Sequence, residues 1–268
     1  TIRVAAASSM RELANRVNGQ NADTARKSAA GQYDILALDG TQIPYAIPNI
    51  SIDHFPVSMP MPTGPWRGLA NSYNCFFVEG FIDELAHNAG VEPLPFRMQM
   101  LAGQTRLARC LKALATKVDL DGGAAGGGRG IACHSMRGSH IAVIVTARNS
   151  ESGVRVDRID AIADCGRLIN PDLARQQIEG GIVFGLAQAL GSATNFERGL
   201  PTARRLRDID LPKLADMPEI NVELVRNDEA PGGVSELGVP AVAPAIANAI
   251  FSATGIRMRA LPLLSRGL

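Results

Sequence analysis

The 268-residue chain is 46% hydrophobic and 20% charged, an ordinary globular balance with enough apolar material for a core. Its formal net charge is +1 and its lysines and arginines are scattered, which argues against a nucleic-acid partner or an anionic membrane surface. Its four cysteines are at least 23 residues apart, which excludes a CxxC zinc or redox motif and predicts structural thiols.

The two ends of the sequence suggest a piece of a larger polypeptide with a buried C-terminal helix. No initiator methionine, signal peptide or transit segment occurs at Thr1, so we expect a fragment of a longer chain. The longest uncharged stretch, residues 237–256, approaches membrane-spanning length, but Pro240, Pro244 and Asn248 interrupt it. A turn followed by a buried helix is the expected structure there.

The N-terminal segment is predicted to be peripheral. Residues 1–44 begin with a strand-like run and continue with a polar helical stretch over residues 10–30 that has few large apolar side chains and is expected to be peripheral or partly disordered. Residues 44–65 contain six prolines, which favour extended edge segments and turns. His54 lies in this segment and is expected to be structural.

Helices are predicted after the Trp66-Arg67-Gly68 turn. From residue 72 the apolar side chains recur at helical spacing, and Gly90 is expected to end this helix. Further helices follow between residues 91 and 119, with an amphipathic stripe. The apolar positions on which these predictions depend are Phe76, Phe77, Phe81, Ile82, Leu85 and Ala86 in the first helix, then Leu107, Cys110, Leu111 and Leu114.

A sheet and a long helix are predicted next. The glycine-rich run over residues 121–130 lacks a following Lys-Ser/Thr pair and predicts a flexible connection rather than a phosphate-binding loop. Alternating apolar residues from 131 onward predict strands, on which Cys133 and His134 point to opposite faces. Asn170-Pro171 predicts a helix start. Gly180, Gly181 and Gly185 would weaken that helix unless a backbone or a ligand packs tightly against them.

Glu236 is the strongest candidate for chemistry. It is the only acid after Glu229 and lies between Gly232-Gly233 and Gly238, before the uncharged helix predicted over residues 243–254. An acid held between apolar backbone and a buried helix start loses water and becomes suited to act as a base. Glycines on both sides allow close approach of a bulky ligand. An exposed turn acid is the alternative that composition alone favours.

Three segments carry a family resemblance that covers roughly residues 42 to 265. They are the Trp66-Arg67-Gly68 turn, the helix from Asn170-Pro171 to Gln177-Ile178-Glu179-Gly180, and the Gly232-Gly233-x-x-Glu236 turn. In this combination and order they resemble the molybdenum-binding subunits of the xanthine dehydrogenase and aldehyde oxidase family, in the branch of the isoquinoline 1-oxidoreductase beta subunit. Ser235 and Leu237 depart from the family's glycine and proline but leave the glutamate in place.

The resemblance implies a role for each matching residue. It makes Glu236 the catalytic base beside molybdenum. Trp66 and Arg67 would line the substrate pocket, and Arg67 would orient substrate or stabilise negative charge. Leu69 would lie in that pocket where other branches carry an aromatic residue, which argues against xanthine as substrate. The cofactor-binding residues it implies are Gly68, Gln177, Gly232, Gly233 and Ser235, with no protein ligand to the metal.

The resemblance also implies the fold, the cofactor and the partners. The fold class is α+β, with mixed sheets and packed helices, as part of a molybdenum-binding domain; we predict two domains, residues 1–130 and 131–268. The cofactor would be a molybdenum–pterin dinucleotide in its cytosine form, with 2Fe-2S clusters in a small iron–sulfur partner subunit. The family's Gly-Gln-Gly segments are missing here, so the N-terminal part of the same subunit or a companion chain would complete the site. The expected reaction oxidises an aldehyde or a ring carbon beside nitrogen with oxygen from water.

Two other interpretations stay open at this point. Ser235 would be the nucleophile of a hydrolase, although its Gly-Val-Ser-Glu-Leu-Gly context is one residue too long for the G-x-S-x-G elbow and no strand runs directly into it. The chain would otherwise be a non-catalytic fragment that keeps the fold of a subunit.

Overall fold

The computed structural model describes residues 1–101, 103–117, 127–150 and 153–263, and it has the mixed helices and sheets expected of an α+β protein. The strands are β1 (Ile2–Ala6), β2 (Ile52–Pro56), β3 (Gly128–Met136), β4 (Ser139–Ser150), β5 (Gly153–Asp164), β6 (Phe196–Glu197), β7 (Leu200–Pro201) and β8 (Glu219–Leu224). The α-helices are α1 (Ser9–Val17), α2 (Ala22–Ala29), α3 (Leu69–Asn88), α4 (Pro93–Met100), α5 (Thr105–Lys117), α6 (Pro171–Leu190) and α7 (Val242–Thr254). Short 3-10 helices span Ile35–Leu38, Leu206–Asp208 and Leu214–Asp216.

A four-stranded sheet in the order β3-β4-β5-β8 is the centre of the fold. β4 is antiparallel to both of its neighbours, whereas β8 runs parallel to β5. On β4, Val143 and Val145 face a core formed with α6 and α7, and Ala142 and Ile144 face a core formed with α3 and α5. Both faces are therefore covered, which explains why these strands read as nearly continuous apolar runs.

Glycines at the start of β3 allow close packing against α7, which corrects part of the predicted flexible connection. A Cβ on Gly130 would lie 2.1 Å from the Ala245 carbonyl oxygen, and one on Gly128 would lie 2.2 Å from the Ala249 carbonyl oxygen. Gly128 and Gly130 therefore belong to strand β3 rather than to a connection. They are glycines because a side chain at either position would collide with the α7 backbone. Residues 121–126 of the predicted connection lie outside the described residues. The predicted domain boundary between residues 130 and 131 falls inside β3, and the division itself stays a prediction.

The N-terminal segment is more ordered than its composition predicts. β1 and β2 form a parallel pair, and the polar stretch forms α1 and α2 rather than one helix. Ala25 is fully buried, and the buried Glu12 accepts hydrogen bonds from the backbone and hydroxyl of Thr63. The structural role predicted for His54 is confirmed, because its ring nitrogens contact the Asp34 N–H at 3.2 Å and the Ala6 carbonyl oxygen at 3.0 Å.

The buried face of α3 differs from the prediction. Phe77 and Phe81 are 50% and 56% exposed, whereas Glu79 and Asp83 are buried. The cause is Arg97 of α4, which is fully buried and places Nε 2.9 Å from Glu79 Oε2 and Nη1 3.4 Å from Asp83 Oδ1. A buried carboxylate is tolerated only with such a partner. Helix α3 therefore buries the face that carries these two acids, whereas the sequence pattern predicts that Phe77 and Phe81 are buried.

The helices and thiols of the remaining core agree with expectation. Asn170 caps α6 by accepting a hydrogen bond from the Leu173 N–H, and Gly255 ends α7 with a φ of 74°. The α5 stripe is buried as predicted. All four cysteines are free and buried.

Within the described ranges, none of the helices combines the length and hydropathy that a membrane crossing requires.

Candidate active site

The segment around Glu236 is held by backbone hydrogen bonds to the central sheet. The Gly232 N–H donates to the Cys165 carbonyl oxygen at 2.8 Å, just beyond β5. The Gly233 N–H donates to the Arg137 carbonyl oxygen at 3.0 Å, at the tip of the β3–β4 hairpin. Glu236 therefore stands on a turn that is fixed to the ends of two strands before the chain enters α7.

The glycines of this turn are needed for contacts within the chain. A Cβ on Gly232 would meet the Ser139 hydroxyl oxygen at 2.2 Å, and one on Gly233 would meet Arg137 Cβ at 3.1 Å. On the other side, a Cβ on Gly238 would lie 2.2 Å from the Ile178 carbonyl oxygen of α6. Close packing within the chain thus accounts for these glycines, and the cofactor contacts expected of Gly232 and Gly233 stay a prediction.

The Glu236 carboxylate is sheltered and incompletely paired. Its side chain is 18% exposed, and Oε2 is buried with no hydrogen-bond partner in the described structure. The nearest cation is Arg137, whose Nη2 lies 3.4 Å from that oxygen. A buried acceptor without a donor is costly to keep. Glu236 Oε2 is therefore an acceptor suited to a ligand that brings a proton.

Arg67 brings the three family motifs together. Its Nε and Nη2 donate to the Ser235 carbonyl oxygen at 2.9 and 2.6 Å. Nη2 also donates to Gln177 Oε1 at 3.0 Å. One guanidinium thus joins the loop before α3, the α6 helix and the Glu236 turn, using the fixed donor fork that arginine provides.

Trp66 and Arg67 lie on a constrained loop that leads through Gly68 to Leu69, the first residue of α3. Trp66 is 61% exposed, with its ring centroid 5.6 Å from that of Phe184. Gly68 has a φ of 94°, and a Cβ there would lie 2.9 Å from Val239 Cγ1. Leu69 also has a positive φ of 52°, which is uncommon for a non-glycine residue. Strain of this kind is retained where the loop geometry is over-determined by its surroundings.

Two cavities are lined by residues predicted for the site. Trp66, Arg67 and Leu69 line a cavity of about 270 Å³ beside the N-terminal segment. Gln177 and Gly232 line another of about 660 Å³ at the start of α6. The residues predicted for the substrate pocket and two of those predicted for the cofactor thus border different cavities. The Arg67–Gln177 hydrogen bond joins a residue of one lining to a residue of the other.

Arg137 and Asp39 are site residues that the sequence analysis missed. The pKa of Asp39 is raised, mainly because burial removes its carboxyl group from water. The positive charge of Arg137 opposes this shift, and the negative charges of Asp34 and Glu236 add to it. These charged groups therefore act on one another across the site. Residues 39, 137 and 236 are far apart in sequence. The one local signal is the Arg137-Gly138 pair between two apolar runs, which is typical of a hairpin tip.

The structure gives no support to a serine-nucleophile site. Ser235 is exposed and its carbonyl is held by Arg67. The four histidines have their contacts elsewhere, with Ala6 and Asp34, Phe251, Asn71, and Ser135. In the part of the chain that the structure describes, no three histidine, cysteine or acidic side chains are placed to hold a metal ion.

Packing between α6 and the Glu236 turn gives a testable contrast between two glycines of one helix. We expect Gly185→Ala to lower the free energy of unfolding by about 1 to 3 kcal/mol, because its Cβ would lie 2.7 Å from the Val239 carbonyl oxygen. Gly180→Ala is the control; its nearest neighbour would be Arg67 Nη1 at 4.0 Å, so higher helix propensity should raise stability by up to about 1 kcal/mol. Urea unfolding of both variants measures the difference, and equal effects would contradict the tight packing.

The chain is similar in sequence to known proteins over most of its length. The model of the molybdopterin cofactor-binding domain matches residues 125–218. The chain is 30% identical over 230 residues to the beta subunit of isoquinoline 1-oxidoreductase from Brevundimonas diminuta, an alignment that covers 84% of this chain and 29% of that protein. It is 31% identical over 246 residues to a nicotinate dehydrogenase subunit of Pseudomonas putida, covering 81% of this chain and 20% of that protein.

A solved structure has the same fold. The aldehyde oxidoreductase from Desulfovibrio gigas superposes with a TM-score of 0.71 at 16% identity, covering 86% of this chain and 44% of that one. The sequence therefore spans less than a third of the two relatives named above and under half of this structural neighbour.

Proposed function

The chain belongs to the molybdenum-binding subunits of the xanthine dehydrogenase family, and from this we propose that it supplies the base and part of the substrate pocket of a molybdenum hydroxylase. The observation that carries the proposal is the convergence of Arg67, Gln177 and the Ser235-Glu236 turn. These belong to three motifs more than fifty residues apart in sequence.

A molybdenum–pterin cofactor fits the residues that are present. The buried, unpartnered Glu236 Oε2 is an acceptor for a donor group on such a cofactor, and Gln177 offers an amide at the edge of the larger cavity. When bound, the cofactor supplies oxygen transfer and two-electron redox chemistry. Gln177, Gly68, Gly232, Gly233 and Ser235 are the residues we assign to holding it, and its cytosine dinucleotide form is part of the proposal.

The residues of this chain would perform three tasks. Glu236 accepts a proton at Oε2, from a position sheltered from bulk water. Arg67, which is always charged, holds the Ser235 carbonyl and so fixes the direction of the adjacent Glu236. Trp66 and Leu69 offer apolar surface for a flat substrate beside Arg67.

The proposed reaction inserts an oxygen atom from water into a C–H bond of an aldehyde or of a ring carbon beside nitrogen. It releases two protons and two electrons, so an electron-accepting partner is required. We assign that role to a small iron–sulfur subunit carrying 2Fe-2S clusters. The two relatives named above are subunits of larger enzymes by their names, in agreement with companion chains. An N-terminal part of the same subunit, or a separate chain, would complete the cofactor site.

Metal and isotope analysis tests this proposal directly. We expect the chain, purified in complex with its companion chains, to contain molybdenum and pterin in equal amounts. We also expect incubation with an aromatic aldehyde or an N-heteroaromatic in ¹⁸O-labelled water to give a product that carries the label. A complex without molybdenum and pterin would support the non-catalytic fragment instead, and labelling of Ser235 by a fluorophosphonate would support the hydrolase.

A further inference from the structure

We propose that Arg137 is a positioning residue for Glu236, directing its carboxylate into the site and stabilising its charge by a contact from the β3–β4 hairpin. The inference rests on the proposed function, because it gives Glu236 its role as base. The contact joins Arg137 Nη2 and Glu236 Oε2 at 3.4 Å. That oxygen has no hydrogen-bond partner in the described structure, so Arg137 stabilises the charge while leaving the oxygen open to accept a proton.

The backbone at Arg137 supports a functional reason for this residue. Arg137 and Gly138 form the two-residue connection between β3 and β4, with φ values of 48° and 75°. Such a turn needs a positive φ at both positions, and asparagine followed by glycine is the favoured pair. An arginine in the left-handed region is strained relative to asparagine or glycine. The turn itself therefore does not favour arginine at this position, and the contact with Glu236 offsets that cost.

The hairpin tip is fixed relative to the Glu236 turn. The Arg137 carbonyl oxygen accepts from the Gly233 N–H at 3.0 Å, and a Cβ on Gly233 would lie 3.1 Å from Arg137 Cβ. Because the two backbones are joined at this point, the guanidinium has a short reach to Glu236. Its side chain is 59% exposed, so solvent screens the contact and its effect is modest.

Few other charged groups reach Glu236. Asp39, after the first 3-10 helix, is electrostatically coupled to both Arg137 and Glu236. Arg67 contacts the neighbouring Ser235 carbonyl, and α6 contributes the uncharged Gln177 to that contact. His134 of β3 is buried and its Nε2–H donates to Asn71 Oδ1 at 2.9 Å. Burial lowers the pKa of His134 to about 4, so it stays neutral above that pH. Arg137 is thus the cation in direct contact with the Glu236 carboxylate among the described residues.

The chain offers a matched control for this position. Arg198 and Gly199 form the same kind of two-residue connection between β6 and β7, with φ values of 51° and 79°. Arg198→Asn therefore makes the same substitution in the same backbone geometry, in another hairpin. Both asparagine variants should fold, since Asn-Gly suits the turn better than Arg-Gly.

The test follows the Glu236 carboxylate by ¹³C NMR in the full chain, with the signal assigned through Glu236→Gln. We expect Arg137→Asn to move the midpoint of its titration upward by about 0.2 to 0.7 pH units, as loss of an exposed ion pair implies. We expect Arg198→Asn to leave the midpoint unchanged, and Arg137→Lys to keep most of the wild-type position because the charge is retained.

An unchanged midpoint in Arg137→Asn, or equal shifts in the Arg137 and Arg198 variants, would overturn the proposal. So would a shift in Arg137→Lys as large as that in Arg137→Asn, because charge would then not be the cause. In the assembled complex, the acid limb of the turnover profile should move upward with the NMR midpoint. Since the NMR measurement needs no turnover, failure of this inference is distinguishable from failure of the proposed function.

Discussion

Replacing Glu236 by glutamine is expected to reduce turnover of the assembled complex by about 100- to 10,000-fold, the contribution that a positioned base makes. Glutamine has nearly the same shape but cannot accept the proton at the position of the buried, unpartnered Oε2. Molybdenum and pterin contents should stay at the wild-type level, because the change leaves the backbone contacts of the turn in place. Turnover with substrate in excess, together with metal analysis, measures both quantities.

Glu229→Gln is the control for this variant. Glu229 is exposed in the same connecting segment. Its backbone accepts a hydrogen bond from the Arg167 N–H and donates one to Asn227 Oδ1, so these contacts do not involve its carboxylate. Its substitution should change turnover by less than a factor of about two, as expected for a surface change away from the site. Activity of Glu236→Gln within tenfold of wild type, with the cofactor still bound, would remove the proposed mechanism.

Replacing Arg97 by methionine is expected to lower the free energy of unfolding by about 3 to 5 kcal/mol, because it leaves the buried Glu79 carboxylate without a cation. Asp83 would keep its other contact, with Arg257 Nη1 at 2.7 Å. Arg97 is fully buried and pairs with Glu79 and Asp83. Burial opposes its charge, but these partners outweigh that cost and raise the pKa of the guanidinium. Tyr45 also donates to Glu79 at 2.6 Å, so the loss reaches a second contact of the core. Chemical unfolding of the chain measures the change.

An exposed ion pair with another acid of α3 provides the comparison. Arg259 pairs with Glu84, and its side chain is 69% exposed. Arg259→Met should lower stability by less than about 1 kcal/mol, because solvent already screens such a pair. The double variant Arg97→Met/Glu79→Gln should recover part of the lost stability, since Glu79→Gln removes the charge that Arg97→Met leaves uncompensated. Equal effects of the two methionine variants would refute the assignment of the Arg97 cluster to the core.

Elements with local signals are predictable from the sequence. The start of α6 follows from Asn170-Pro171, and the end of α7 follows from Gly255, because capping depends on residues within one turn. The face of α3 is not predictable in this way. Periodicity assigns Phe77 and Phe81 to the core, whereas Glu79 and Asp83 occupy it through Arg97 on another helix. No local pattern reports a partner on a different element.

The candidate site likewise contains residues that local motifs identify and a residue that only the fold brings into it. Glu236, Arg67 and Gln177 are identified from motifs, and the structure then shows that Arg67 contacts Gln177 and the Ser235 carbonyl next to Glu236. Arg137 lies 99 residues before Glu236 in sequence, and only the folding of the β3–β4 hairpin onto the Gly233 backbone brings the two together. A charge contact of this kind leaves no spacing or periodicity that single-sequence reasoning can detect.

The loop before α3 also gives this polypeptide a built-in optical reporter. Trp66 is the single tryptophan of the 268 residues, and its indole lies against Phe184, next to the arginine that joins the three motifs. Emission excited selectively from indole in the isolated chain therefore originates at one known point on the rim of the smaller cavity. A molecule that enters that cavity changes the polarity around the ring, so its arrival can be followed as a spectral change without attaching a dye.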